Sequence, residues 1–119
     1  MPERPFSFGK KYKIRKTKEY HAVYQKRKIL RNHILKIYYA PNQLPYTRMG
    51  MAIRKRTGKA YLRNRIKRLF REAFRLSRPQ LPKGLDIILV PNFSKGNIPH
   101  LQLIQHSLLQ LLKQTHHKS

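Results

Sequence analysis

The segment from Lys59 to Leu76 constrains the fold most strongly, because its two sides differ completely in chemistry. Apolar residues recur at alternating steps of four and three, which predicts an amphipathic helix with one buried side. The apolar stripe consists of Leu62, Ile66, Leu69, Ala73 and Leu76. Pro79 and Pro82 prevent the helix from continuing. The stripe therefore has to pack on other segments of the chain.

The other side of this helix is almost entirely cationic. At about 100° per residue, five residues point away from the stripe and two lie on its flanks. The five are Asn64, Lys67, Arg68, Arg71 and Arg75, and the two are Arg63 and Arg65. A solvated helix face normally mixes signs, because like charges at i,i+4 repel. Binding of phosphate, whose oxygens the planar guanidinium bridges, is therefore a better interpretation than a merely solubilising face.

The overall charge supports this interpretation. The 119 residues, enough for a single domain, include 28 Lys and Arg against four acidic residues, giving a formal charge of +24. Such an imbalance attracts polyanions, so nucleic acid is the leading partner and a membrane surface the second. We expect one RNA-binding domain over residues 1–119, with flexible ends at about 1–13 and 114–119.

The remaining pattern predicts two further helices and three strands. A helix over Lys18–Lys26 has Thr17 as its N-cap. Strands are expected over Ile34–Ala40 and Arg48–Arg54, and we predict that these two pair as an antiparallel hairpin. The apolar run Leu85–Val90 predicts a buried strand.

The last helix is expected to follow Asn97 as its N-cap, with Pro99 in its first turn. Its buried stripe is Leu101, Ile104, Leu108, Leu111 and Leu112. The residues alone thus give the order helix, strands, helix, strand, helix.

Aromatic residues suggest a second binding surface. Tyr20 and Tyr24 share one face of the first helix, while Lys36 and Tyr38 share a strand face. If the hairpin forms, Gly50 and Ala52 lie on the same face and leave a shallow cleft between tyrosines and cations. Unpaired bases stack on such rings while phosphates meet the cations. The alternative, that Tyr20 and Tyr24 are core residues with solvated hydroxyls, is equally compatible with the spacing.

The sequence lacks the groups for protein-based catalysis. Four scattered carboxylates do not suit a two-metal nuclease, and the histidines are not spaced as an acid/base pair. We expect no protein-bound metal, no cofactor and no small-molecule ligand. No stretch reaches the roughly 20 apolar residues of a membrane span, and the start lacks a signal-peptide core. We expect a cytoplasmic protein without membrane contact.

Residues 58–74, GKAYLRNRIKRLFREAF, resemble the signature of the bacterial ribonuclease P protein component. The similarity extends to Lys18 through Tyr24, Arg48 through Lys55 and Asp86 through Val90. The resemblance implies an α/β (α+β) sandwich of α-β-β-β-α-β-α order, with a small mixed sheet and a left-handed βαβ crossover, similar to domains of ribosomal proteins. Right-handed crossovers are the rule, so chain order alone does not suggest this.

The resemblance also implies a function. The family's protein is a subunit of an endoribonuclease whose RNA partner, with magnesium, removes the 5′ leader of precursor tRNA. By position, the residues that face the catalytic RNA are Arg63, Asn64, Arg65, Lys67, Arg68 and Arg71. We add Arg75 to this RNA-binding set. Tyr20, Tyr24 and Tyr38 match positions that receive the leader. We assign the cations of this cleft as Lys36, Arg48, Arg54 and Lys55.

Two other classes fit the charge. A ribosomal or general RNA-binding structural protein shares it but does not explain the grouped motif and the tyrosine cleft. A membrane-active cationic protein needs an apolar face exposed beside the basic one, whereas the stripes here compete for burial.

Overall fold

The computed structural model describes residues 9–94 and 96–115. Within them the chain forms three α-helices and four strands in α-β-β-β-α-β-α order, as the resemblance implies. The elements are α1 Thr17–Gln25, β1 Lys28–Arg31, β2 Leu35–Pro41, β3 Arg48–Met51, α2 Ala60–Ser77, β4 Leu85–Pro91 and α3 Leu101–Lys113. Short 3-10 helices cover Lys10–Tyr12, Lys55–Thr57 and Arg78–Gln80.

The strands form one mixed sheet in the order β1-β2-β4-β3. β2 is antiparallel to both β1 and β4, whereas β3 is parallel to β4. The predicted hairpin between β2 and β3 is wrong, since β4 lies between them. Residues Ile87, Ile88 and Leu89 are fully buried, so both faces of β4 require cover and the strand takes a central position. The β2–β3 connection instead crosses the end of β4, where Asn42 N donates to Gly84 O.

The two sheet faces are covered unequally. α2 and α3 pack on one face and enclose the main core, which includes Ile37, Ile87, Phe70, Phe74 and Leu108. α1 crosses the other face and buries a smaller cluster of Ile14, Val23, Ala40 and Ile88. Part of that second face, around Tyr38, therefore stays accessible. In the described part of the chain, no helix combines the length and apolarity needed to cross a membrane.

Both predicted N-caps are displaced. Thr17 is the first residue of α1 rather than its cap, because the Glu19 carboxylate accepts the backbone N–H groups of Arg15 and Lys16 at 3.1 and 3.0 Å. Asn97 lies in a turn, where its amide donates to Ser94 Oγ, and α3 begins only at Leu101. Pro99 explains the delay, since it disfavours helical geometry at Ile98.

Other bounds differ where local patterns are weak. The residue pattern gave no strand over β1, which is only four residues long and does not alternate polar and apolar residues. β3 ends at Met51, three residues before the predicted end, because Lys55–Thr57 turns into a 3-10 helix. The buried stripe of α3 is confirmed, with Leu101 half-buried and the other four residues buried.

Parts of the two ends that we expect to be flexible make contacts with the rest of the chain. Ile14 N donates to Met49 O at 3.0 Å, and Lys13 forms a parallel bridge with Met49, so residues 10–15 run along the free edge of β3. At the other end, Thr115 Oγ1 donates to Leu112 O. Residues 1–8 and 116–119 lie outside the described residues.

Candidate nucleic-acid interface

The outer side of α2 is a cationic surface. The fully buried residues of the helix are Ile66, Phe70, Ala73, Phe74 and Ser77. Its buried side is thus centred slightly beyond the predicted stripe, and Leu62, Leu69 and Leu76 lie at the border. On the opposite side, the exposed predicted residues are Asn64, Arg65, Arg68 and Arg71, with Lys67 half-buried beside them. Helical geometry thus gathers these charges on one surface.

Two members of the predicted set have partners within the protein. Arg63 Nε donates to Gly58 O at 3.1 Å and so fixes the loop that enters α2. Arg75 forms a two-point ion pair with Glu72, whose carboxyl pKa it lowers by hydrogen bonding. Both remain half-buried at the margins, and Arg65, Arg68 and Arg71 supply the exposed charge.

Sequence reasoning left Tyr61 out of the interface, although the helical period contained the signal. Its side chain is 67% exposed in the first turn of α2. Arg65 and Arg68 follow at i+4 and i+7, which places the three residues on one side of the helix. An exposed ring beside guanidinium groups is suited to stack on a base.

The exposed part of the second sheet face carries an aromatic cluster. The rings of Tyr24 and Tyr38 meet edge to face at 4.8 Å, and Lys36 Nζ lies 5.1 Å from the Tyr38 ring centre. Tyr24 remains 37% exposed. Burial raises the pKa of the Tyr24 hydroxyl, the nearby tyrosines add to the rise, and the charge of Arg54 opposes it. Arg54 thus acts on the same cluster, and Lys55 is exposed next to it in sequence.

Tyr20 forms the wall of this surface rather than its open part. Its hydroxyl accepts the backbone N–H of Met51 at 3.2 Å, and its ring lies directly over Gly50. A Cβ at Gly50 would come within 2.6 Å of that hydroxyl. Each of the two interpretations of the tyrosines therefore fits a different residue. Tyr20 is a packed residue whose hydroxyl is bonded to the backbone, whereas the Tyr24 ring is accessible. Gly50 shares the face with Tyr38, as predicted, but through Ile88 between them.

Arg48, which we predict to be a cation of the cleft, is engaged within the protein. Its guanidinium donates to both Asp86 oxygens, at 2.9 and 2.6 Å, and to Glu19 Oε2 at 2.9 Å. Asn42 adds a hydrogen bond to Asp86 at 2.8 Å. The side chain is only 19% exposed and these hydrogen bonds raise its pKa further. Arg48 therefore ties α1 to the sheet. Its charge is already neutralised by the two carboxylates that it bridges.

A groove at the edge of β3 joins the two surfaces. It encloses about 280 Å³ between the chain before α1, Tyr20, the backbone of β3 and the side of α2. Its cationic lining residues are Lys13, Arg15, Lys67 and Arg71, and none of its lining residues is acidic. Lys13 and Arg15 were missed, because a basic segment without hydrophobic periodicity gave no sign that it pairs with a strand.

The described carboxylates do not fit a magnesium site. Glu19 and Asp86 are bound by Arg48, and Glu72 by Arg75. Across residues 9–94 and 96–115, no three His, Asp or Glu side chains lie close enough together to hold a metal ion. Oxygen ligands that already accept arginine hydrogen bonds are poor ligands for this cation.

Comparisons with known proteins agree on one family. A family model described as Ribonuclease P matches residues 8–116. The ribonuclease P protein component of Caldanaerobacter subterraneus is 37% identical over 105 residues, which cover 87% of this chain and 88% of that protein. The solved ribonuclease P protein of Thermotoga maritima has a TM-score of 0.76 at 29% identity, covering 86% of this chain and 96% of that one. The Staphylococcus aureus protein gives 0.74 at 30%, covering 87% and 94%.

Proposed function

This chain belongs to the ribonuclease P protein family, and from that premise we propose that it binds the catalytic RNA through α2 and the 5′ leader of precursor tRNA through the aromatic sheet face. Proteins of this family are subunits of an endoribonuclease that processes tRNA. The proposal assigns each of its two RNA contacts to a separate surface of the molecule.

The observation that carries the first contact is the one-signed outer side of α2. Arg65, Arg68 and Arg71 are exposed on it, and the carboxylate within the helix, Glu72, is held by Arg75 at the margin. Arginines in this arrangement replace the counterions of phosphates, which releases those ions and drives association. Tyr61 extends the same surface with a ring for stacking.

The second contact suits unpaired RNA. Tyr24 and Tyr38 offer ring surface, Lys36 lies beside the Tyr38 ring, and the positive charge of Arg54 acts on Tyr24. A duplex buries its base faces, whereas a single-stranded leader can present them. Lys13 and Arg15 in the edge groove continue the positive surface toward α2.

We propose further that the chemistry belongs to the RNA partner, with magnesium held there. The described part of the protein offers no carboxylate group suited to the ion. Bound magnesium would supply an activated water and stabilise the leaving oxygen. The protein's own residues bind and orient: the α2 arginines neutralise phosphates, and the tyrosine face positions the leader.

The salt dependence of RNA binding tests the α2 contact. For the catalytic RNA, the logarithm of the association constant should fall linearly with the logarithm of salt concentration. Arg68→Gln and Arg71→Gln should each reduce that slope by about 0.7–0.9 for each phosphate that the variant no longer neutralises. Lys28→Gln, at the opposite edge of the sheet, is the matched control. If both arginine variants retain the wild-type slope, α2 does not bind phosphate.

A further inference from the structure

We propose that a separate pocket, at the start of β3, binds one unpaired nucleotide of RNA. The inference rests on the proposed function. The pocket encloses about 300 Å³, and we call it the Tyr12–Tyr46 pocket after its two aromatic rings. Its cations are Lys11, Arg78 and Lys83.

The pocket is distinct from the aromatic sheet face. Tyr12 ends the first 3-10 helix, Tyr46 precedes β3, and Arg78 follows α2. Tyr38 lies on β2, separated from β3 by β4. A base at Tyr46 therefore occupies a position at the sheet edge, near the C-terminal end of the cationic helix, while a base at Tyr38 lies on the sheet face.

The aromatic part of the pocket is suited to a base. The Tyr12 and Tyr46 rings meet at 5.5 Å and at 76° to one another. Both are half-buried, so their bodies are held by packing while part of each borders the open volume. Arg78 already covers one face of the Tyr12 ring, so the Tyr46 ring is the stacking surface for the base, and such stacking does not depend on base identity.

Cations lie over and beside the two rings. Lys11 Nζ is 5.0 Å from the Tyr12 ring centre and 5.1 Å from that of Tyr46, and the Arg78 guanidinium is 3.8 Å from Tyr12. Lys83 is exposed at the rim. No lining residue is acidic, and the carboxylates among the described residues are engaged by Arg48 and Arg75. An RNA phosphate therefore meets positive charge on reaching the rings.

The floor of the pocket does not depend on the Tyr46 ring. Thr47 Oγ1 donates to Pro82 O at 2.5 Å and accepts Leu85 N at 3.2 Å, and Leu81 is buried beneath. These bonds join β3 to the chain before β4. Substitutions at Tyr46 and Lys83 can thus change the lining while the backbone frame remains.

Binding of a fluorescent ten-nucleotide oligouridylate to the full chain, without other RNA, tests the pocket. Tyr46→Leu should weaken binding by about fivefold to a hundredfold, whereas Tyr46→Phe keeps the ring and stays near wild type. Lys83→Gln should lower the salt slope by about 0.7, and the control Lys28→Gln should do so less. Equal affinity for Tyr46→Leu and wild type, or equal losses for the Leu and Phe variants, would overturn the proposal.

Two further measurements make the result independent of folding and of the other site. The loss caused by Tyr46→Leu should persist in a Tyr24→Ala background, because separate sites contribute additively. Photo-crosslinking of wild-type protein to an oligonucleotide containing 4-thiouridine should label Tyr12 or Tyr46. Crosslinks confined to the sheet face and α2 would sink the pocket even if the Tyr46 variant failed to fold.

Processing assays separate this proposal from the proposed function. Wild-type protein could support cleavage of precursor tRNA with the catalytic RNA while Tyr46→Leu leaves the affinity for oligouridylate unchanged. In that case only the proposal of the Tyr12–Tyr46 pocket is wrong. If wild-type protein does not support cleavage, the proposed function is wrong, whatever the effect of the Tyr46 variants on oligouridylate binding. Comparing Tyr46→Leu and Tyr46→Phe on catalytic RNA alone, and on precursors with and without a leader, identifies which RNA supplies the nucleotide.

Discussion

Tyr20 and Tyr24 lie one turn apart on α1, yet their surroundings differ. The Tyr20 hydroxyl is bonded to the backbone of β3, whereas Tyr24 is partly exposed against Tyr38. Spacing places both on one side of the helix but does not tell which of them the sheet edge will cover. Removal of the Tyr24 side chain should therefore weaken RNA binding rather than folding stability.

Tyr24→Ala should weaken binding of precursor tRNA by about 1–3 kcal/mol while leaving mature tRNA nearly unaffected, because only the precursor offers an unpaired leader base. Tyr20→Phe is the matched comparison: it removes one hydrogen bond and should cost about 1 kcal/mol of folding stability with little change in leader affinity. Titration of both RNAs with the holoenzyme measures the effect. Equal losses for the two RNAs would dismiss the leader contact.

Glu19 gives a residue-level prediction with a defined pH range. The backbone N–H of Lys16, followed by that of Arg15 and by Arg48, lowers its carboxyl pKa from the ordinary 4.5 to about 2 against the effect of burial. A carboxylate whose pKa is lowered by folding stabilises the folded state at pH values above its pKa in the unfolded state. This stabilisation is lost as the pH falls toward its pKa in the folded state.

Glu19→Gln should therefore lower the free energy of unfolding by about 1–2 kcal/mol at neutral pH. The difference from wild type should shrink as pH falls below about 4.5, where the wild-type carboxylate begins to lose its stabilising effect. Urea unfolding at several pH values measures it. A difference that stays constant down to about pH 3 would contradict the role given to this carboxylate.

At the scale of elements, α2 was the most predictable part and β3 the least. The alternation of Ile66, Leu69 and Ala73 with arginines fixes both the helix and its charged side, since helical period is a local property. The partner of β3 is a non-local choice: Leu85–Pro91 displaced β2 because its side chains need cover on both faces. For the same reason the partners of Arg48, in α1 and β4, could not be predicted from the sequence.

The contact of α1 with β3 depends on the absence of a side chain at Gly50. Gly50→Ala should displace Tyr20, break its bond to Met51 and cost about 1–3 kcal/mol of stability. Gly96→Ala is the control, because nothing lies within 4 Å of a Cβ there. Thermal or urea unfolding compares them. If Gly50→Ala proves as stable as Gly96→Ala, Tyr20 does not hold α1 to the sheet edge.

At the scale of the whole molecule, the formal charge of +24 is expressed as several positive surfaces. Most of the described carboxylate charge is used internally, at Arg48 and Arg75, which leaves the α2 side, the edge groove and the Tyr12–Tyr46 pocket positive. Composition indicated a polyanion as partner, but it could not show that the basic segment Lys10–Arg15 lies beside α2. Those contacts exist only once the chain has folded.

Reconstitution with a cognate bacterial ribonuclease P RNA and precursor tRNA tests the central claim most directly. Protein alone should leave the precursor intact with magnesium present, and the assembled enzyme should release the leader at the mature 5′ end. A combined Arg65→Gln, Arg68→Gln and Arg71→Gln variant should need a much higher protein concentration for half-maximal activity. Cleavage by the RNA-free protein, or full activity of the triple variant at the wild-type concentration, would contradict the account.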